Sequence, residues 1–156
     1  MKWWEAIGGH EMKTGILVTH LVFVGVWLGC VLTEALFERA LLGHGRDKEK
    51  TLANLHKKVD IIVEIPAFII VMVTGGLLLA GSVPSTLLFV KISCGIVALL
   101  ANVYCICLVF RRAACALNDD WEGFEHLDHL QHKYGSVVLL GILGALSIGI
   151  FMAIFV

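Results

Sequence analysis

Charged side chains are scarce in this chain of 156 residues: Asp, Glu, Lys and Arg make up 16% of it. A soluble domain of this length needs a broader polar shell, about 25% charged and about 45–50% apolar in typical globular usage. Positive charge is not in surplus either, with 12 Lys and Arg against 13 Asp and Glu, a net charge of −1 and a pI near 6.6. No basic field is available for phosphates, which excludes a nucleic-acid partner. Proline occurs twice, which excludes a collagen-like repeat. What is abundant is apolar: 58% of residues, with a mean hydropathy of +0.87. That excludes disorder. The length fits one domain, and the composition leaves an integral membrane protein.

Four stretches carry the apolar content: residues 15–32, 65–90, 92–110 and 134–156, the second interrupted by Ala80-Gly81-Ser82-Val83-Pro84. A helix needs about 20 mostly apolar residues to span the hydrocarbon. A transmembrane β-barrel would show alternating segments of about 10 residues, and this sequence has none. The reading is all-α, a single transmembrane domain over 1–156 forming an up-down-up-down four-helix bundle. Its helices run roughly over 14–42, 48–80, 85–113 and 126–156. Loops over about 43–47 and 114–125 lie on one side, and the turn at 81–84 lies on the other. The first apolar run is not a signal peptide: Trp3, Trp4, Glu5 and Glu11 precede it, and Glu34, Glu38 and Arg39 stand where a small-residue cleavage site belongs.

Charge sets the orientation. Lys2, Lys13 and Lys91 lie toward the side of the N-terminus, whereas Arg39, Arg46, Lys48, Lys50, Lys57, Lys58, Arg111, Arg112 and Lys133 lie toward the other. The positive-inside bias puts the second side in the cytoplasm and both termini outside, in a multi-pass protein of the cell inner membrane or its equivalent. The five cysteines are mostly intramembrane, with no CxxC pair, and read as small buried hydrophobes.

Ionisable groups inside a membrane are costly and mark function. The first helix carries Glu34 and Glu38, four apart and on one face. His56, Asp60 and Glu64 follow the same spacing on the second, and His126, His129 and His132 recur every third residue on the approach to the fourth. All lie near the cytoplasmic ends of their helices, so three helices bring carboxylates and imidazoles to one layer. Carboxylates gathered at low dielectric repel unless protonated or neutralised. A divalent ion, or a pair of them, neutralises them, and mixed carboxylate and imidazole ligands suit Fe, Mn or Zn and tolerate Cu. Dinuclear bundles take inward Glu and His from facing helices in the same way, although their Glu-x-x-His pair is absent here. The plainer reading is a solvated face, with Glu38 paired to Arg39 or Lys58 and Asp60 to Lys57.

A second, smaller set lies near the opposite side. His20 sits inside the first helix, and Lys91 stands at similar depth in the third. A neutral intramembrane imidazole is a natural haem ligand, and Lys91 suits a propionate or snorkels to the surface. Trp3, Trp4 and Trp27 read as interface anchors or packing residues.

His20 followed by Trp27 and Gly29, Ile65-Pro66-Ala67 with Thr74-Gly75-Gly76-Leu77, and Phe89-Val90-Lys91 together resemble the HemJ-type protoporphyrinogen oxidases and related CopD-like copper-resistance membrane proteins. The resemblance covers roughly 16–110. It implies haem b associated with His20 and a functional role for Lys91. The chain departs from that family's pattern in its histidine-rich segment over 125–132 and in the additional carboxylates Glu34, Glu38, Asp60 and Glu64.

Three expectations follow. The first is an integral-membrane metalloprotein with a mono- or dinuclear site formed by Glu34, Glu38, His56, Asp60, Glu64, His129 and His132, with His126 in reserve. A redox-active ion would make it a membrane oxidoreductase acting on a membrane-dissolved molecule or a redox partner, and zinc would supply a hydrolytic water. The second is a haem b oxidase or electron carrier. The third is a metal-ion or proton permease, whose pore would need homo-oligomerisation through close-packing glycines such as Gly75-Gly76 and Gly141/Gly144.

Overall fold

The computed structural model describes residues 9–80 and 82–155, the side chain of His10 excepted, and among them every element is helical. Helix α1 is Gly9–Leu41, α2 is Arg46–Val59, α3 is Ile65–Leu79, α4 is Thr86–Leu117 and α5 is Trp121–Phe155. A π-helical turn over Asp60–Glu64 joins α2 to α3 without a break, so the chain forms four rods long and apolar enough to cross a membrane. The protein is a multi-pass four-helix bundle. Trp3, Trp4, Glu5, Lys2 and Gly81 lie outside the described residues.

The bundle is apolar outside and polar within. Ile62 is 70% exposed and Leu36, Leu100 and Leu140 are nearly as bare, whereas His56, Asp60, Glu64, Asn102, Arg112, Asp128 and Gln131 are buried. Water would penalise that arrangement and hydrocarbon favours it, since lipid leaves polar groups nowhere to go but the interior. Two apolar clusters bracket the polar layer. Val24, Trp27, Ala67, Ala98, Ala101, Val138 and Ile142 form one, and Ala53, Ala113, Ala116 and Phe124 form the other.

Two local features depart from the sequence expectation. The loop expected over 114–125 shrinks to 118–120, because its polar residues cap helices instead of separating them. The Asn118 N–H donates to the carbonyls of Ala114 and Cys115 at 3.1 Å, Asp119 turns the chain with φ 57°, and Asp120 Oδ1 accepts the Gly123 N–H at 3.0 Å. Trp121 and Phe124 are thereby helical, and the Arg46 guanidinium lies 4.3 Å from the Trp121 ring centroid.

The second feature is the π turn. Pro66 stands in the first turn of α3, where its ring would clash with the carbonyl four residues back, that of Ile62. Widening the preceding turn relieves the clash, and the Ile65 N–H reaches back to Asp60 O in the π pattern. The widened turn keeps Asp60 and Glu64 inward while Ile61, Ile62 and Val63 face out.

Three of the four glycines expected to serve contacts between chains make contacts within this one. A Cβ on Gly141 would stand 2.8 Å from Ala98 Cβ and 3.0 Å from Cys94 O, so α5 meets α4 almost backbone to backbone there. Gly144 faces Cys94, and Gly75 receives the His20 ring. Gly76 alone of these four faces open space.

Candidate functional site

The polar layer divides into two groups with opposite charge balance. The first is centred on Arg112, which is 0% exposed although it follows Arg111 at what reads as a helix end. Its guanidinium donates to Asp128 Oδ1, to Glu38 Oε1 at 3.3 Å and to His56 Nδ1 at 2.7 Å. His132 completes the group: Nε2 stands 2.9 Å from Glu38 Oε2 and Nδ1–H donates to Asp128 O at 2.9 Å. With both ring nitrogens on oxygens, His132 has the arrangement of an imidazolium bridging α1 and α5. Two cations thus face two carboxylates, and the group balances itself. Glu38, Asp128 and His132 have the proximity of a metal triad, but Arg112 already occupies them.

His56 is part of this network and is not available to an ion. Arginine only donates, so Nδ1 accepts from Arg112, and the ring's proton lies on Nε2, which donates to Glu34 O at 3.3 Å. Gln131 Nε2 also approaches Nδ1, at 3.1 Å. No ring lone pair is left over.

The second group lies deeper. Glu34, Asp60 and Glu64 each present a carboxylate oxygen, all within 4.8 Å of one another. Among the described residues no lysine, arginine or histidine forms an ion pair with any of them. Trp27 Nε1–H gives Glu64 Oε1 and Asn102 Oδ1 a shared hydrogen bond, 3.2 Å to each. Asp60 is 1% exposed and neither of its oxygens meets a donor, its neighbours being the carboxyls of Glu34 and Glu64; Glu34 Oε1 and Asn102 Nδ2 likewise make no hydrogen bond of good geometry. Buried polar groups are normally paired, so this concentration of atoms without a hydrogen bond sets the second group apart from the first.

A cavity of about 150 Å³ opens onto this second group. Its lining includes the buried Asp60, Glu64, Asn102 and Gln131, the apolar Val31, Leu32, Ile106 and Leu139, and Gly135, Ser136 and His132 of α5.

The expected residues therefore separate. Glu34, Asp60 and Glu64 come together; Glu38, His56 and His132 come together around Arg112. His126 and His129 are exposed on α5 and join neither group, because a spacing of three turns them past the inward face that Leu127, Asp128 and Gln131 occupy. The alternative pairings of Glu38 with Arg39 or Lys58, and of Asp60 with Lys57, do not form among the ion pairs of the described residues. Sequence reasoning passed over Arg112, Asp128, Gln131 and Trp27 as site residues. Asn102 of α4 also lines the cavity.

Toward the other end, His20 is half-buried. The Thr74 hydroxyl donates to Ile70 O at 2.6 Å and so accepts from His20 Nδ1–H at 2.9 Å. That leaves Nε2 of His20 with its lone pair. Lys91 lies along Gly149 of α5, where an added Cβ would stand 3.2 Å from Nζ. No disulfide forms among the cysteines, and Cys30 is buried.

No family model, no curated protein and no solved structure matches this chain.

Proposed function

We propose that this is an integral-membrane metalloprotein that holds one divalent cation on Glu34, Asp60 and Glu64. The observation that carries the reading is the pair of Asp60 oxygens that meet no donor, buried beside two more carboxylates, with none of the three in an ion pair among the described residues. Three buried negative charges at low dielectric demand a cation or protons. The donor set is all oxygen, which favours the harder end of the expected metals, manganese or ferrous iron, over copper or zinc. Asn102 Nδ2, unpartnered at the same cavity, suits an oxygen bound to the ion. The Arg112 network is the supporting frame: it fixes α1, α2, α4 and α5 against one another and holds Glu34 in register through the His56 bond to its carbonyl. The lysine and arginine bias puts this layer near the cytoplasmic face and both termini outside. Arg112, being buried, drops out of the loop charges, and the bias stands without it.

Elemental analysis of the purified protein tests the reading. The wild type retains metal after dialysis, Asp60→Asn combined with Glu64→Gln does not, and His129→Ala is unaffected. Equal metal in all three contradicts it.

A second reading rests on His20. The Thr74 bond orients the ring and leaves Nε2 free, which is how ligating histidines are held. This is the place for haem b in the reading implied by the HemJ-type resemblance, with Lys91 toward a propionate. It predicts a Soret band lost in His20→Ala; a colourless wild-type preparation contradicts it.

A further inference from the structure

The cavity over the carboxylates is chemically two-faced. Its depth holds unpartnered acceptors, Asp60 Oδ1 and Oδ2 on the π turn and Gln131 Oε1 on α5, together with one unpartnered donor, Asn102 Nδ2. Asn102 is 2% exposed and Gln131 7%, so neither finds water at the protein surface. Its exposed lining residues are Leu32 and Ala35 on α1 and His132 and Ser136 on α5, and Leu36, Val137 and Leu140 on the same two helices are exposed as well. Those exposed residues put the opening between α1 and α5, beside the His132 ring and on a side of the bundle whose bare leucines and valine face lipid.

A group that pairs with this depth must both donate and accept. A hydroxyl does both, donating to a carboxylate or to Gln131 Oε1 and accepting from Asn102 Nδ2. An anionic headgroup is repelled by three carboxylates, and a plain hydrocarbon leaves every bare atom unpaired at a cost of about 1–3 kcal/mol each. The volume selects the body of the ligand: an apolar cavity of about 150 Å³ takes one benzene ring. We propose that the cavity binds a lipid-dissolved hydroxylated ring of the hydroquinone class, hydroxyl inward toward Asn102 and the carboxylates, with its alkyl tail leaving between α1 and α5. The proposal rests on the cavity of the preceding reading and on its carboxylates, but not on the ion: a hydroxyl oxygen also ligates a metal held there.

Calorimetric titration of the protein in lipid nanodiscs tests it, with empty nanodiscs subtracted. The probes are octylhydroquinone and its dimethyl ether, which keeps the shape and removes the donors. Saturable one-to-one binding of the hydroquinone is expected, with the ether about tenfold weaker or worse. Gly135→Leu fills the cavity, since a Cβ there meets nothing within 4 Å, and abolishes binding; Ser136→Phe at the mouth serves the same purpose if the first variant does not fold. Equal binding of the two probes, no saturable binding, or binding indifferent to both variants overturns the proposal. Metal content is read on the same samples. Hydroquinone binding to a metal-free wild type upholds the ligand and defeats the ion, whereas metal without binding does the reverse.

Discussion

Without the guanidinium of Arg112, Asp128 and Glu38 would be left facing each other in the interior with only His132 between them. Breaking a buried ion pair by removing one partner costs about 3–5 kcal/mol. Arg112→Ala is therefore expected to lower the melting temperature in detergent sharply, whereas Arg111→Ala, on the exposed face of α4, leaves it near the wild-type value. Equal melting of the two variants would remove Arg112 from its structural role. The same residue shows what could be read from sequence. Glu34, Asp60 and Glu64 were legible because a carboxylate inside an apolar run is conspicuous. Arg112 was not, because a helix ending at 113 makes an Arg-Arg pair look like loop charge. The signal was present nonetheless: Leu108, Val109, Arg112, Ala113 and Ala116 are all buried at helical spacing on one face of α4, which becomes visible once the helix is carried on to Leu117.

At the scale of elements, hydropathy located the four rods but could not locate the π turn, whose cause is steric and lies in a single proline. Pro66→Ala removes the clash with the Ile62 carbonyl and lets the turn tighten to α-helix. Asp60 and Glu64, four apart, share a face in either kind of helix, but the tightened turn shifts the phase of α2 against α3 by up to about one residue and so moves Asp60 relative to Glu34 on α1. Helicity by circular dichroism is expected to hold while metal retention falls; full metal retention would show that the turn does not place the ligands.

The α4–α5 contact offers a sharper stability test. Gly141→Ala brings its Cβ to within 2.8 Å of Ala98 Cβ, with backbone of α4 just behind, whereas Gly144→Ala meets Cys94 Sγ at 3.4 Å. Overpacking of the first kind costs typically about 1–3 kcal/mol, and the second is ordinary contact. Thermal unfolding should separate the two variants in that order, and the reverse order would contradict the close packing.

For the whole molecule, the arrangement of polar inside and apolar outside ties the site to the membrane. A carboxylate cluster in a soluble core would draw in water, but here the surrounding surface is apolar among the described residues. Orientation is a property of this scale too. Alkaline phosphatase fused after the last helix is expected to be active and green fluorescent protein at the same point dark, as the bias of Arg39, Arg46, Lys48, Lys50, Lys57, Lys58, Arg111 and Lys133 to one side requires; the opposite pattern would invert the topology.

The central claim is that three interior carboxylates, none in an ion pair among the described residues, hold a cation. It is tested most directly by elemental mass spectrometry of the chain purified in detergent with no metal added, beside Asp60→Asn/Glu64→Gln prepared identically. The account predicts close to one equivalent of a divalent metal in the wild type and none in the variant. A wild type free of metal, or a variant that keeps it, would contradict the account and leave protons as the only neutralisers of Glu34, Asp60 and Glu64.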